Sequence, residues 1–113
     1  MKVGYSDKET QKICTNAKYA HKKIGAANSK KLFRKLHALT AVDNLQEFYD
    51  SISSWRPHPL KGDLKGYHSF SIEGRLRLIF LPVDSEANEA QTELVYILIK
   101  TILIKEVSNH YGD

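Results

Sequence analysis

The sequence predicts an α+β fold in which an N-terminal antiparallel helix hairpin packs on a small, mainly antiparallel, twisted β-sheet. Three observations carry this. Apolar residues recur at helical spacing through the first third of the chain, the period changes to alternation after Leu60, and the helices precede most of the strands. With 113 residues, 42% of them hydrophobic and 27% charged, the chain has the size of one domain, taken as residues 1–113.

Val3 and Tyr5 alternate with polar neighbours and predict a short first strand. Ser6 followed three residues later by Glu9 reads as a capping box, in which each side chain satisfies an orphan amide of the other's neighbourhood. From there Ile13, Ala17, Ala20 and Ile24 form a narrow apolar stripe, with Lys8, Lys12, Lys18, Lys22 and Lys23 largely outside it and Gly25 as the stop. Cys14 borders the stripe and lacks any activating base in its motif, so it reads as a packed thiol. A second amphipathic helix over residues 29–40 carries Leu32, Phe33, Leu36 and Leu39, and the short connection makes the two an antiparallel hairpin.

Asp43 and Gln46 predict one more capped turn that buries Leu45 and Phe48, and Ser, Pro and the sole Trp mark residues 51–59 as a loop. Residues 67–72 and 76–81 flank Glu73-Gly74-Arg75 as a β-hairpin. A three-residue loop is the register that gathers Phe70, Ile72, Leu76, Leu78 and Phe80 on one face. It leaves Ser69, Ser71, Arg77 and Ile79 opposite, so Arg77 is expected to be displayed rather than buried. Residues 84–91 read as an acidic connecting loop, and a final strand is expected over about 101–107.

The charge is uneven. Residues 1–35 sum to +8, 36–55 to −3, 56–77 to +3 and 78–113 to −4, for a total of +4. Basic blocks of this kind serve as nucleic-acid footprints or as solvated helix faces. The longest apolar run, residues 94–99, is far too short to span a bilayer, and the start lacks the apolar region of a signal peptide. A single cysteine excludes an intrachain disulfide and agrees with a reducing cytoplasm. No P-loop, paired-cysteine zinc pattern, HExxH or GxSxG motif is present, which argues against the nucleotide, zinc and hydrolase classes that those motifs mark.

Chemistry concentrates in His58-Pro-Leu-Lys-Gly-Asp-Leu-Lys-Gly-Tyr-His68, which holds two histidines, two lysines, two glycines and a tyrosine. These residues suit a Gly-rich turn leading into a strand. They also suit a phosphodiester site, if Lys61, Lys65 and Arg77 gather to stabilise pentacoordinate charge while a histidine or tyrosine moves protons. RNA carries its own nucleophile in the 2′-hydroxyl, so such a site calls for no metal or cofactor. His21 and His37, on helices among lysines, read as solvated.

This run, followed by Gly74, by Arg77-Leu-Ile-Phe80 and by Glu106-Val-Ser-Asn-His-Tyr111, resembles the HigB branch of the RelE/ParE toxin superfamily over nearly the whole chain. The resemblance implies a helical hairpin on an antiparallel sheet and a ribosome-dependent mRNA endonuclease neutralised by a cognate antitoxin of helix-turn-helix type. It also implies catalytic roles for Arg77, Lys61, His58 and His110, and RNA contacts for Lys65, Arg75, Tyr111 and Arg56. Two departures stand out. Many relatives carry a second Arg on the strand before the turn, where this chain has Ser71, with Arg75 as the nearest substitute. The terminal His110-Tyr111 order is also reversed from the Asp-Tyr-His of many relatives. The same fold also serves gyrase inhibitors and proteins that act only through antitoxin binding and autoregulation, so the site must decide.

Overall fold

The computed structural model describes residues 1–83 and 93–109, with the side chains of residues 93–95 excepted. The connecting loop expected at residues 84–91 and the His110-Tyr111 pair lie outside the described residues. The element order is β1 (Lys2–Tyr5), α1 (Lys8–Thr15), α2 (Ala17–Ile24), α3 (Ala26–Ala41), α4 (Leu45–Ser51), β2 (His58–Pro59), β3 (His68–Glu73), β4 (Leu76–Val83) and β5 (Thr101–Ser108). The five strands form one sheet in the order β1-β5-β4-β3-β2, antiparallel except for the parallel β1–β5 pair at one edge.

The first predicted helix is two helices. Asn16 ends α1 by donating its N–H to the Lys12 carbonyl, and starts α2 by accepting the Tyr19 amide on its side chain at 2.9 Å. One residue thus satisfies orphan groups on both sides of the break. Gly25 then stops α2 at φ 88°, a backbone angle a side chain disfavours, and the chain turns directly into α3. The helix caps sit one residue later than expected. Asp7, not Ser6, accepts the Thr10 amide at 2.7 Å, and Asn44, not Asp43, accepts the Glu47 amide at 2.8 Å. The Asp7 carboxyl is held below its ordinary pKa by the Thr10 N–H bonds above all. Replacing Asn44 by Ala is expected to lower stability by about 1 kcal/mol, read as an earlier midpoint in urea.

The β3–β4 pairing is the expected one, with Phe70 opposite Leu78 and Ser71 opposite Arg77, but the expected three-residue loop is a two-residue turn, Gly74-Arg75, because Glu73 joins the ladder. The odd residue is taken up by a bulge at Ile72, so that Glu73 faces Leu76 and Gly74 turns at φ 55°. A second bulge sits in β5, where Glu106 faces Ile79 and Ile104 faces Phe80, leaving Lys105 as the extra residue. Residues 93–98 form a 3₁₀ helix, and the last strand follows it at Thr101.

The core lies between the helices and the inner sheet face. Leu32, Leu36 and Leu39 of α3 and Leu45 and Phe48 of α4 meet Phe70, Ile72, Leu78, Phe80, Ile102 and Ile104. Phe48 is its aromatic hub, with its ring edge-on to Phe80 at 5.8 Å and Trp55 at 6.2 Å. Cys14 is buried, and burial pushes its thiol up to about 12, which leaves it a small apolar residue at neutral pH. His21 and His37 are exposed, as expected. No helix among the described residues is long and apolar enough to cross a membrane.

Candidate functional site

The outer face of the sheet, away from the helices, carries Ser69 and Ser71 from β3 and Arg77 and Ile79 from β4, with Ser108 of β5 opposite Arg77. The expectation that this face displays Arg77 is wrong. Arg77 is 0% exposed, and Ser69, Ser71, Ile79 and Ser108 are buried with it. A buried guanidinium needs acceptors in the plane of its fork. Arg77 Nε donates to Ser69 Oγ at 3.0 Å, and Nη2 donates to the Arg56 carbonyl at 2.8 Å. The serines that suggested a solvated face are small enough to let the guanidinium lie down and polar enough to receive it.

Arg56 can present its carbonyl because its backbone is left-handed, with φ 53° and ψ 54°, just after the 3₁₀ turn Ser53–Trp55. For a non-glycine residue this conformation is uncommon and needs support from its surroundings. The Arg77 hydrogen bond and the Arg56 N–H to Ser53 carbonyl bond of 3.0 Å supply it. The Arg56 side chain is left exposed above.

The chain then enters β2, where His58 pairs with Ser69 and so shares its face with Arg77. His58 is half-buried; its Nδ1 lies 3.2 Å from the Pro59 carbonyl. Its Nε2 is buried and has no hydrogen-bond partner among the described residues. Lys61 and Lys65 flank the 3₁₀ turn Gly62–Leu64 and are exposed, as is Arg75 in the β3–β4 turn. Tyr67 lies under the Lys105 ammonium, 5.4 Å from ring centre to nitrogen.

The structure therefore brings Arg77 and His58 together through Ser69, with Arg56 as the lid on the guanidinium. It leaves Lys61, Lys65 and Arg75 as exposed cations on neighbouring turns. Residues 110 and 111 follow β5 in sequence beyond Ser108, which is Arg77's cross-strand partner, but lie outside the described residues. Among the described residues no three His, Cys, Asp or Glu side chains gather in a way that holds a metal.

His68, the other histidine of the motif, points the opposite way. It is opposite Phe80 on the inner face, 5% exposed, stacked on Phe80 at 5.5 Å and bonded through Nδ1 to the Tyr49 hydroxyl at 2.5 Å. Burial, with a smaller contribution from His58, pushes its pKa down to about 4. A neutral ring is what accepts the Tyr49 O–H, so His68 belongs to the core. Sequence reasoning missed Ser69 as the Arg77 acceptor, although the hairpin register had already placed the two on one face. It also missed Lys35 of α3, whose ammonium donates to the Ser71 and Ile72 carbonyls at 2.6 and 3.0 Å. β2 is only two residues long, so these carbonyls at the sheet edge have no strand to pair with, and the lysine covers them.

The sequence of residues 4–94 matches the family of HigB-like toxins, described as RelE-like toxins of the type II toxin-antitoxin system HigB. The chain belongs to the HigB-like toxin family. Among solved structures, a YoeB/ParE toxin from Agrobacterium tumefaciens superposes with a TM-score of 0.57 over 98% of this chain and 100% of that one, at 16% identity. That similarity is one of fold. No curated protein sequence matches the chain. As a type II toxin this HigB-like protein has an antitoxin as its partner.

Proposed function

We propose that this HigB-like toxin is a ribosome-dependent mRNA endonuclease, acting in the cytoplasm and using the substrate's own 2′-hydroxyl as nucleophile. The observation that carries the reading is His58 Nε2, a buried imidazole nitrogen without a partner among the described residues, beside the Ser69–Arg77 bond. Buried polar atoms in folded proteins are nearly always satisfied, so an orphaned one calls for an explanation, and a general base that awaits a substrate hydroxyl supplies it.

In the proposed reaction the 2′-oxygen attacks the adjacent phosphorus while the bond from phosphorus to the 5′-oxygen breaks. This leaves a 2′,3′-cyclic phosphate and a free 5′-hydroxyl. His58 Nε2 takes the proton of the attacking hydroxyl, and the leaving oxygen receives one from the His110-Tyr111 end. Lys61, Lys65, Arg56 and Arg75 hold phosphates of the message as exposed cations. Arg77 has a different role from the direct contact expected of it. Buried beneath the site, it holds the Arg56 carbonyl and Ser69 in place and presents a fixed positive charge to the developing dianion through a medium that screens poorly.

An antitoxin of helix-turn-helix type, with an acidic segment to lay over these cations, completes the reading. The test is induced expression without antitoxin, with growth followed and message 5′ ends mapped, alongside His58→Gln. New 5′ ends within translated messages, lost in His58→Gln, support the proposal. Growth arrest with intact messages refutes it in favour of a gyrase-type target, and unimpaired growth refutes it in favour of a binding protein.

A further inference from the structure

Between α3 and the β3–β4 turn lies a pocket of about 320 Å³ that the reaction above does not use. Lys31, Arg34 and Lys35 line it from the helix, and Ser71, Glu73 and Gly74 from the hairpin. We propose that this pocket is a second anion subsite that binds a phosphodiester of the same RNA strand, next to the one cleaved over Arg77. The inference rests on the endonuclease reading.

Charge makes the first argument. Three cations at positions i, i+3 and i+4 on one helix face repel one another, a placement that weakens a helix. Among the described residues that line the pocket, Glu73 is the one acid that opposes them, through its ion pair with Lys31. Arg34 is exposed and has no ion pair among the described residues. Lys35 is held still by the Ser71 and Ile72 carbonyls, with its ammonium 5.1 Å from the centre of the Trp55 ring. Burial first, then the charges of Lys31 and Arg77, lower its pKa.

Size and position make the second. The volume is at the small end of the roughly 300–1,000 Å³ found for ligand pockets, and its walls are mostly charged and polar, with Ile72 the apolar exception. It suits a single compact anionic group and not a helix or an aromatic side chain. Ser71 lines the pocket and is also the cross-strand partner of Arg77, so the pocket and the buried arginine share one strand pair. Here a serine opens the floor, and α3 supplies cations from the other side. An extended RNA strand that follows the hairpin end meets both places.

The test measures binding of a short single-stranded RNA with 2′-O-methyl riboses, which cannot be cleaved, to the purified toxin across a salt series. Each lost phosphate contact lowers the slope of log affinity against log salt by about 0.7 for single strands. Arg34→Gln is expected to flatten the slope by about that amount and Arg34→Lys to restore it, because a lysine keeps the charge. Arg34 is exposed, and unchanged circular dichroism confirms that the variants fold. An unchanged slope in Arg34→Gln, with Lys61→Gln still flattening it, overturns the pocket and leaves the endonuclease reading standing. Unchanged RNA binding with weakened antitoxin binding overturns it in favour of a protein carboxylate. A wild-type protein that shows no salt-dependent RNA binding overturns the pocket as an RNA subsite, while the endonuclease reading stands or falls on the mapped 5′ ends.

Discussion

Arg77→Ala is expected to reduce cleavage of translated messages by about 10²–10³-fold, the usual cost of removing one preorganised electrostatic group. Two losses combine. The fixed charge beneath the phosphate disappears, and the Arg56 carbonyl and Ser69 hydroxyl, which now accept from Arg77 at 2.8 and 3.0 Å, lose a donor inside the protein. Arg77→Lys separates them. A lysine keeps the charge but is a point donor without the planar fork that reaches both acceptors, so the left-handed Arg56 backbone is no longer held from below. If charge alone matters, Arg77→Lys retains most activity. If the lid also matters, it falls toward Arg77→Ala while circular dichroism still shows a folded chain, with a lowered melting temperature from the lost buried hydrogen bonds. The observation that sinks the assignment is Arg77→Ala protein that folds and still cuts messages at the wild-type rate.

The hairpin register was legible because alternation is a local signal. Only one pairing puts Phe70, Ile72, Leu78 and Phe80 together, and a slip by one residue turns them all outward. The burial of Arg77 was not legible, because it depends on a distant segment. The two-residue strand at His58 and the left-handed Arg56 bring main chain over the outer face, and neither leaves a periodic trace in the sequence. Ser69, Ser71 and Ser108 looked like a wet surface and are instead buried hydroxyls around or beside a guanidinium. The first helix cap was misplaced by one residue for a more local reason. At Asp7 a carboxylate competes with the Ser6 hydroxyl for the same amides, and the positive end of the helix dipole favours the carboxylate. The orientation of the two histidines in the motif was equally hidden: His58 and His68 are paired to adjacent positions of the same strand pair and so face opposite sides of the sheet.

That division leads to a pH prediction in which His68 limits stability in acid. Above about pH 6.5 the ring is neutral in both folded and unfolded chains, and its contribution is constant. As pH falls from there to about 4, the unfolded chain binds a proton that the buried ring refuses, so stability drops; below about 4 the folded ring titrates as well and the loss levels off. The span between those values corresponds to a loss of roughly 3 kcal/mol, a large share of the 5–15 kcal/mol typical of a folded domain. The ring cannot escape by turning outward, because it is stacked on Phe80, edge-on to Tyr49 at 5.8 Å and Tyr96 at 5.7 Å, and bonded to the Tyr49 hydroxyl. His68→Phe keeps an aromatic ring against Phe80 and has nothing to protonate. Urea unfolding of both proteins at intervals from pH 7 to pH 4 is expected to show the wild type losing stability more steeply than His68→Phe. Parallel curves across that window show that the ring is not held neutral by the fold.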